Sequence, residues 1–432
     1  MKFSEMPLMA PLQRALVDAG YESPTPIQEQ AIPLILAGHD LLGVAQTGTG
    51  KTAAFCLPIL HLLAANNVRK EPKCPRVLIL TPTRELAIQI HQNLLTYSSH
   101  LKLKHAVVYG GVGQGNQARD LSNGVDVLVA TPGRLMDLHS QQLLSLHKVE
   151  IFVLDEADRM LDMGFIQDIQ RILPLLPKKR HNLFFSATMA PEVQKLSAGI
   201  LFDPKKIEVT PQATTAEKID QSVMFVEKPK KLELLVHLLQ DPAMTRVLVF
   251  MSMKHGANRI VDKLSKHGIK ATGIHGDKTQ GARQRALEEF REGQVRVLVA
   301  TDIAARGLDI DGISHVINYE LPHVADTYVH RIGRTARAGA EGKSIAFCTG
   351  EEKSYLYAIE KTTRQQITVI EDHPFHSPES QNAPVLSVGK AKAAIEKRQH
   401  AASAAGKATD PHREPQKRTS FFNKKKFGFK KK

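Results

Sequence analysis

The sequence predicts an α/β protein of two tandem domains, each a parallel sheet flanked by helices, followed by a disordered basic tail. Three observations carry this. Short apolar, β-branched runs alternate with helical stretches along most of the 432 residues, the pattern of parallel sheets whose crossovers are helices. Two of the runs recur at one offset: the apolar stretches of RVLILT and RVLVFM begin at Val77 and Val247, and those of DVLVAT and RVLVAT at Val127 and Val297, both 170 residues apart. VLVAT recurs letter for letter, and two matches at a shared offset favour a duplicated domain over coincidence between Val-rich strands. Charge is also partitioned: from His376 to Lys432 there are 14 Lys/Arg against 4 Asp/Glu, which is ten of the net +14.

The expected divisions are a first domain over 1–210, a linker over 211–220, a second domain over 221–375 and a tail over 376–432. The linker is placed in TPQATTAEKID, which is polar and Thr-rich. The tail is rich in Ala, Ser, Gln and Lys and has little hydrophobic periodicity, so it lacks the apolar surface to offset its ordering entropy. The 42% apolar content is ordinary for a globular chain. Cys56, Cys74 and Cys348 show neither metal-ligand spacing nor a disulfide framework, and read as packing residues of a reducing compartment. The amino terminus has no apolar stretch of signal-peptide length, and nowhere is there an apolar run of about 18 residues. The expectation is a cytoplasmic protein without a membrane partner.

Taken in order, DLLGVA reads as a strand, GVAQTGTGKT as the loop after it and AAFCLPILHLLAA as the following helix. This is the setting of a phosphate-binding loop. Gly48 and Gly50 let backbone N–H groups approach phosphates, Lys51 reaches the outer phosphates, and Thr52 can bind Mg²⁺. Ala45 stands where the general pattern has glycine; a plain glycine-rich turn is the alternative reading. The strands RVLILT and DVLVAT lead into TPTRE and TPGR, and their second-half counterparts into MSMKH and TDIAARG. Ligands of open parallel sheets bind beyond the carboxyl ends of the strands, so these loops can form a polar track if the domains face each other.

The strand IFVLDE ends in acids that a strand buried on both faces should avoid. Beside a phosphate-binding loop, Asp155 reads as the acid that holds Mg²⁺ through water, and Glu156 as the group that orients or deprotonates an attacking water. A helix start with acids at the positive end of its dipole is the alternative. In HRIGRTARAG, Arg334 and Arg337 lie three residues apart, share one face of a helix, and offer the cation that the first half lacks. A solvated basic helix is the competing reading there.

Taken together and in this order, these motifs resemble the DEAD-box RNA helicases of superfamily 2, nearest the bacterial RhlE-type subgroup, from about Phe3 to about Ile370. The resemblance implies two RecA-like domains, ATP and Mg²⁺ as cofactors, and single-stranded or short duplex RNA as the partner, gripped by its backbone. GYESPTPIQ resembles the family's Q motif, in which Gln28 would read the adenine edge with Phe3 or Tyr21 packing near the base. AQTGTGKT supplies Ala45, Gln46, Thr47, Gly48, Thr49, Gly50, Lys51 and Thr52 to the nucleotide, and Asp309 would touch its ribose. Asp158, Ser186 and Thr188, with His330 and Arg331, would couple the domains. RNA contacts are implied for Pro82, Thr83, Arg84 and Glu85, for Gly110 and Gly111, and for Thr131, Pro132, Gly133 and Arg134. In the second domain they fall on the MSMKH loop and on Gln280, Arg283, Thr301, Arg306 and Gly307. Ala336 departs from the family's usual Gly between the two arginines.

The expected function is RNA-stimulated ATP hydrolysis coupled to domain closure and local unwinding; ribosome assembly, RNA decay and cold-stress remodelling are all compatible with the family it resembles, and the sequence does not choose among them. A DNA helicase or translocase, an ATP-gated RNA clamp and a binding protein with a dead site are the rivals. In FFNKKKFGFKKK, Phe421, Phe422, Phe427 and Phe429 interleave with lysines, which reads as a loose RNA tether or, alternatively, as a solvated charged end.

Overall fold

All six apolar runs quoted above as strands form strands in the computed structural model of the chain. The structure describes residues 1–432 other than 47, 67, 69, 210–218, 306–309, 311, 336–341, 387–388 and 390–432. The first half carries β1 (Leu41–Val44), β2 (Val77–Leu80), β3 (His105–Val108), β4 (Val127–Ala130), β5 (Ile151–Leu154), β6 (His181–Ser186) and β7 (Lys205–Glu208). The second carries β8 (Ile219–Phe225), β9 (Val247–Met251), β10 (Ala271–Ile274), β11 (Val297–Thr301), β12 (His315–Asn318), β13 (Gly342–Cys348) and β14 (Thr368–Val369). The sheets run β3-β4-β2-β5-β6-β1-β7 and β10-β11-β9-β12-β13-β8-β14. Position by position the order is the same, with the repeated pairs β2/β9 and β4/β11 in matching places.

Every ladder is parallel, which requires helical crossovers on both faces of each sheet. Successive side chains of a strand point to opposite faces, so the strands feed two cores at once. Val77 and Ile79 join one apolar cluster and Leu78 and Leu80 the other. In the second half Val247 and Val249 face one cluster while Leu248 and Phe250 face another. The three cysteines are buried and unpaired, in keeping with a packing role.

Two of the three expected boundaries shift. β8 begins at Ile219, so Ile219 and Asp220 are strand rather than linker. After residue 375 the chain keeps packing: Ser377 N donates to the Phe225 carbonyl at 3.0 Å, and helix Pro378–Asn382 follows. The Ser377 hydroxyl accepts from Ser380 N at 3.1 Å, and Lys353 Nζ donates to the Ala383 carbonyl at 2.9 Å. A Ser N-cap followed by Pro at the first helical position is a helix-start signal, which the polar, basic composition of the region masked. The remainder of the expected tail, with its four phenylalanines, lies outside the described residues. Among the described residues no helix is long and apolar enough to cross a membrane.

Candidate active site and nucleic-acid interface

The loop after β1 is held by main-chain and side-chain bonds. Ala45 N donates to Ser186 O at 3.0 Å, which hangs the loop on β6, and Lys51 Nζ turns back to the Ala45 carbonyl at 2.6 Å. Thr49 Oγ1 donates to Gln46 O at 2.8 Å. Gly48 and Gly50 sit at φ +83° and +93°, where a Cβ is strained. At Gly50 a Cβ would also collide with the Gln28 amide and the Thr25 hydroxyl. Helix Lys51–Ala65 then starts directly from the loop, so its unpaired N–H groups open toward the space a phosphate would fill. Thr47 lies outside the described residues.

Gln28 is buried behind this loop. Its Oε1 accepts from Thr25 N at 2.9 Å and its Nε2 donates to Gly50 O at 3.0 Å. One N–H and further lone pairs remain for an adenine edge, so the residue can join base recognition to loop position. Of the two aromatics expected near the base, Phe3 is a core residue, 3% exposed, and meets Tyr21 edge-on at 6.1 Å. Tyr21 is 38% exposed, with its hydroxyl 3.1 Å from that of Tyr97. Tyr21 is the accessible member of the pair.

Asp155 and Glu156 follow β5, and both are buried. Burial and the adjacent Glu156 charge push the Asp155 carboxyl above the usual carboxylate range, against the pull of Lys51 and Arg159. Two buried carboxylates in sequence form a cation-seeking site, because a divalent ion removes the cost of ionising both. Glu156 Oε2 accepts from Arg159 Nη1 at 2.5 Å, with both side chains almost fully enclosed. Sequence reasoning missed Arg159; its position three residues after Glu156 was the available signal. Asp158 Oδ2 accepts from Ala187 N, Thr188 N and Thr188 Oγ1 at 3.2, 3.0 and 3.2 Å, and Ser186 Oγ donates to Thr188 O at 2.7 Å. The acids after β5 and the turn after β6 are thus one bonded unit.

In the second half, the Arg331 guanidinium is fully enclosed. It donates to both Asp302 oxygens at 2.6 and 2.9 Å, to Asn318 Oδ1 at 3.1 Å and to Glu320 O at 2.6 Å, and lies 5.0 Å from the Phe250 ring centroid. These contacts tie together the strand ends of the second sheet. Four of the five guanidinium N–H groups are engaged in this way within the second half. Asp302, missed in the sequence, is its main partner. Arg334 is 4% exposed, and its Nε donates to His330 O at 3.2 Å. Arg306, Gly307, Asp309 and Arg337 lie outside the described residues.

The expected RNA residues fall on the carboxyl ends of β2, β3, β4 and β11 and on helix Gln280–Arg291. Thr83 caps helix Arg84–Tyr97 through Leu86 N. Gly111, at φ +82°, leaves room for the Arg84 guanidinium. Arg134 donates to Gln117 Oε1 at 3.0 Å and to Val112 O at 2.8 Å, so it shapes the Gly110-Gly111 loop; Gln117 was not singled out in the sequence. Pro132 and Gly133 open helix Pro132–Ser140 behind Thr131, and Thr301 ends β11. Glu85 Oε1 accepts from Arg283 Nη2 at 2.8 Å and from Gln280 Nε2 at 3.3 Å, a joint between the two halves. Gln280 Oε1 and Arg283 Nε are buried without a protein partner, leaving an acceptor and a donor for a ligand at the same seam.

The residues expected at the nucleotide therefore lie on two copies of one sheet plan, the architecture of tandem RecA-like domains. Residues 25–196 match the family model for DEAD/DEAH box helicases, and residues 230–339 match that of the helicase conserved C-terminal domain. The ATP-dependent RNA helicase CshA of Limosilactobacillus reuteri is 43% identical over 84% of this chain and 72% of its own length. The chain belongs to the family of DEAD-box ATP-dependent RNA helicases. Relatives bear the names CshA, DeaD and RhlB, so the family, and not the RhlE-type subgroup, is what they establish. An S. cerevisiae Dbp5 variant solved with RNA and ADP BeF3 matches at TM-score 0.75 and 32% identity over 85% of this chain and 95% of its own. The same variant with Nup159, Gle1, IP6 and ADP matches at 0.58 and 31% identity, over 84% and 95%.

Proposed function

We propose that the chain hydrolyses Mg²⁺-bound ATP when its two halves close on single-stranded RNA, and that closure pries a short duplex apart. The observation that carries this reading is the joint from Glu85 to Gln280 and Arg283, which bonds the two expected RNA tracks to each other. The greater similarity to the Dbp5 form holding RNA and ADP BeF3 supports the same arrangement. Lys51 and the loop N–H groups would bind the phosphates, and Glu156, fixed by Arg159, would orient or deprotonate the attacking water. Thr52 and Asp155 would hold Mg²⁺, which when bound neutralises phosphate charge. Arg334, with Arg337 beyond the described residues, would meet the charge that develops in hydrolysis. RNA would be held by backbone contacts with little regard for base identity.

The test is steady-state ATP hydrolysis by the full chain, alone and with single-stranded RNA or matched DNA. Stimulation by RNA well above that by DNA is expected. Glu156→Gln should lower the RNA-stimulated rate by roughly 10²- to 10⁴-fold, the usual contribution of a positioned acid–base group. Equal stimulation by DNA would replace this reading with a DNA translocase, and hydrolysis indifferent to either would remove the coupling altogether.

A further inference from the structure

Because the two sheets share one strand order, each position in the first nucleotide site has a counterpart in the second half. β1 is followed by the loop that leads to Lys51, at the start of helix Lys51–Ala65; β8 is followed by Glu227 to Lys230 and by Lys231, at the start of helix Lys231–Leu238. Asp155 and Glu156 follow β5; Tyr319 and Glu320 follow β12. At this counterpart position there is a cavity of about 340 Å³, bounded by the ends of β9, β12 and β13 and by helix Lys254–Lys266. Its size lies within the roughly 300–1,000 Å³ typical of small-ligand sites.

The cavity is not a second triphosphate cradle. Lys231 Nζ is consumed by the Tyr319 carbonyl at 2.8 Å and by Glu352 Oε2 at 2.7 Å, in a buried pair. The turn Lys228-Pro229-Lys230 has no glycine, and Pro229 has no N–H to give a phosphate. Besides Lys231, three cations line the cavity, Lys228, Arg259 and Lys263, together with the acids Glu320, Glu351 and Glu352. Arg259 and Lys263 are exposed and four residues apart, on one face of their helix. The half-buried Tyr319 ring forms part of the wall. Glu320 accepts from Ser252 N at 2.8 Å and keeps acceptor capacity that suits a ribose hydroxyl. Ser252 belongs to the MSMKH loop, so the cavity adjoins the expected RNA path.

We propose that this cavity is a second nucleotide subsite, taking one phosphate between Arg259 and Lys263 and the attached base against Tyr319. Supply of that unit by an RNA strand rests on the function proposed above; a free mononucleotide presents the same chemistry. The test uses the full chain and an Arg259→Glu/Lys263→Glu variant, whose two changes are on exposed side chains. With a nonhydrolysable ATP analogue present, binding of oligouridylates of about six and about sixteen nucleotides is measured across salt concentrations, within the range of single-strand site sizes. UMP is titrated separately, with the first site saturated by the analogue.

The expected result is roughly tenfold weaker binding of the longer strand, with a salt slope shallower by about one or two, and unchanged binding of the shorter. Weaker UMP binding with both strands unaffected would support the subsite with a free nucleotide as its occupant. Equal binding of every probe by variant and parent overturns the proposal. Should RNA fail to stimulate hydrolysis in the parent, the function above fails, whereas the UMP titration still decides the cavity.

Discussion

At the scale of single residues, Glu156 combines three costs: burial, a charge next to Asp155, and a φ of +54°, which non-glycine residues seldom adopt. Arg159 is what makes the position tenable. Removing it as Arg159→Met leaves a buried carboxylate without its ion partner, and the expected loss is about 3–5 kcal/mol in denaturant unfolding. Adding Glu156→Gln should return a large part of that loss, because the charge to be compensated is gone; a double variant as unstable as the single one would contradict this pairing. Gly50 makes a different demand. Gly50→Ala places a Cβ against Gln28 at an unfavourable φ, so affinity for ATP should fall by roughly tenfold or more, and the strain should also lower the unfolding free energy by about 1 kcal/mol or more, two effects that nucleotide titration and denaturation read separately.

At the scale of elements, the edge strand β3 begins with His105, whose Nε2 lies 2.8 Å from Ser98 Oγ. Burial, aided by His91 and Lys70 and opposed by Asp126, holds its pKa down at about 4. The unfolded chain therefore binds a proton here that the native strand refuses. The associated stability is complete above about pH 6.5 and is lost as pH falls toward 4, by about 1–3 kcal/mol. His105→Gln should flatten that part of the unfolding profile, and an unchanged slope would assign the loss to other groups. This strand also marks where the sequence stops being readable. Central strands such as β2, β4, β5, β9 and β11 announce themselves because burial on both faces demands uninterrupted apolar runs, whereas β6, β8 and β13, equally central, carry polar residues near their amino ends and were not singled out. β3, β7 and β14 are edges, half or fully exposed in places, and their mixed composition looks like loop. At the site, Lys51, Asp155 and Glu156 were legible from local motifs. Arg159, Gln117 and Asp302 were not, because their importance comes from which functional residue each one bonds.

At the scale of the whole molecule, the folded second half continues through helix Pro378–Asn382, and Leu386 packs against its core. A truncation meant to remove only the basic tail should therefore follow Leu386; cutting after Phe375 also removes the Ser377 bond to β8. The two halves meet through Glu85, and its pair with Arg283 is 8% exposed on both sides. A buried charge pair between separately folded parts adds stability only to the arrangement that forms it, so it should favour closure without altering either half. Glu85→Arg alone sets two cations face to face with Gln280 beside them. The RNA-stimulated rate should fall by roughly tenfold or more, while ATP affinity without RNA and the unfolding of each half stay near the parent values. The exchange Glu85→Arg/Arg283→Glu restores opposite charges, and measurable recovery of stimulated hydrolysis is expected because interacting residues are coupled in a double-variant cycle. Simple addition of the two losses would mean that Glu85 and Arg283 act on RNA independently, and that the bond between them has no part in closure.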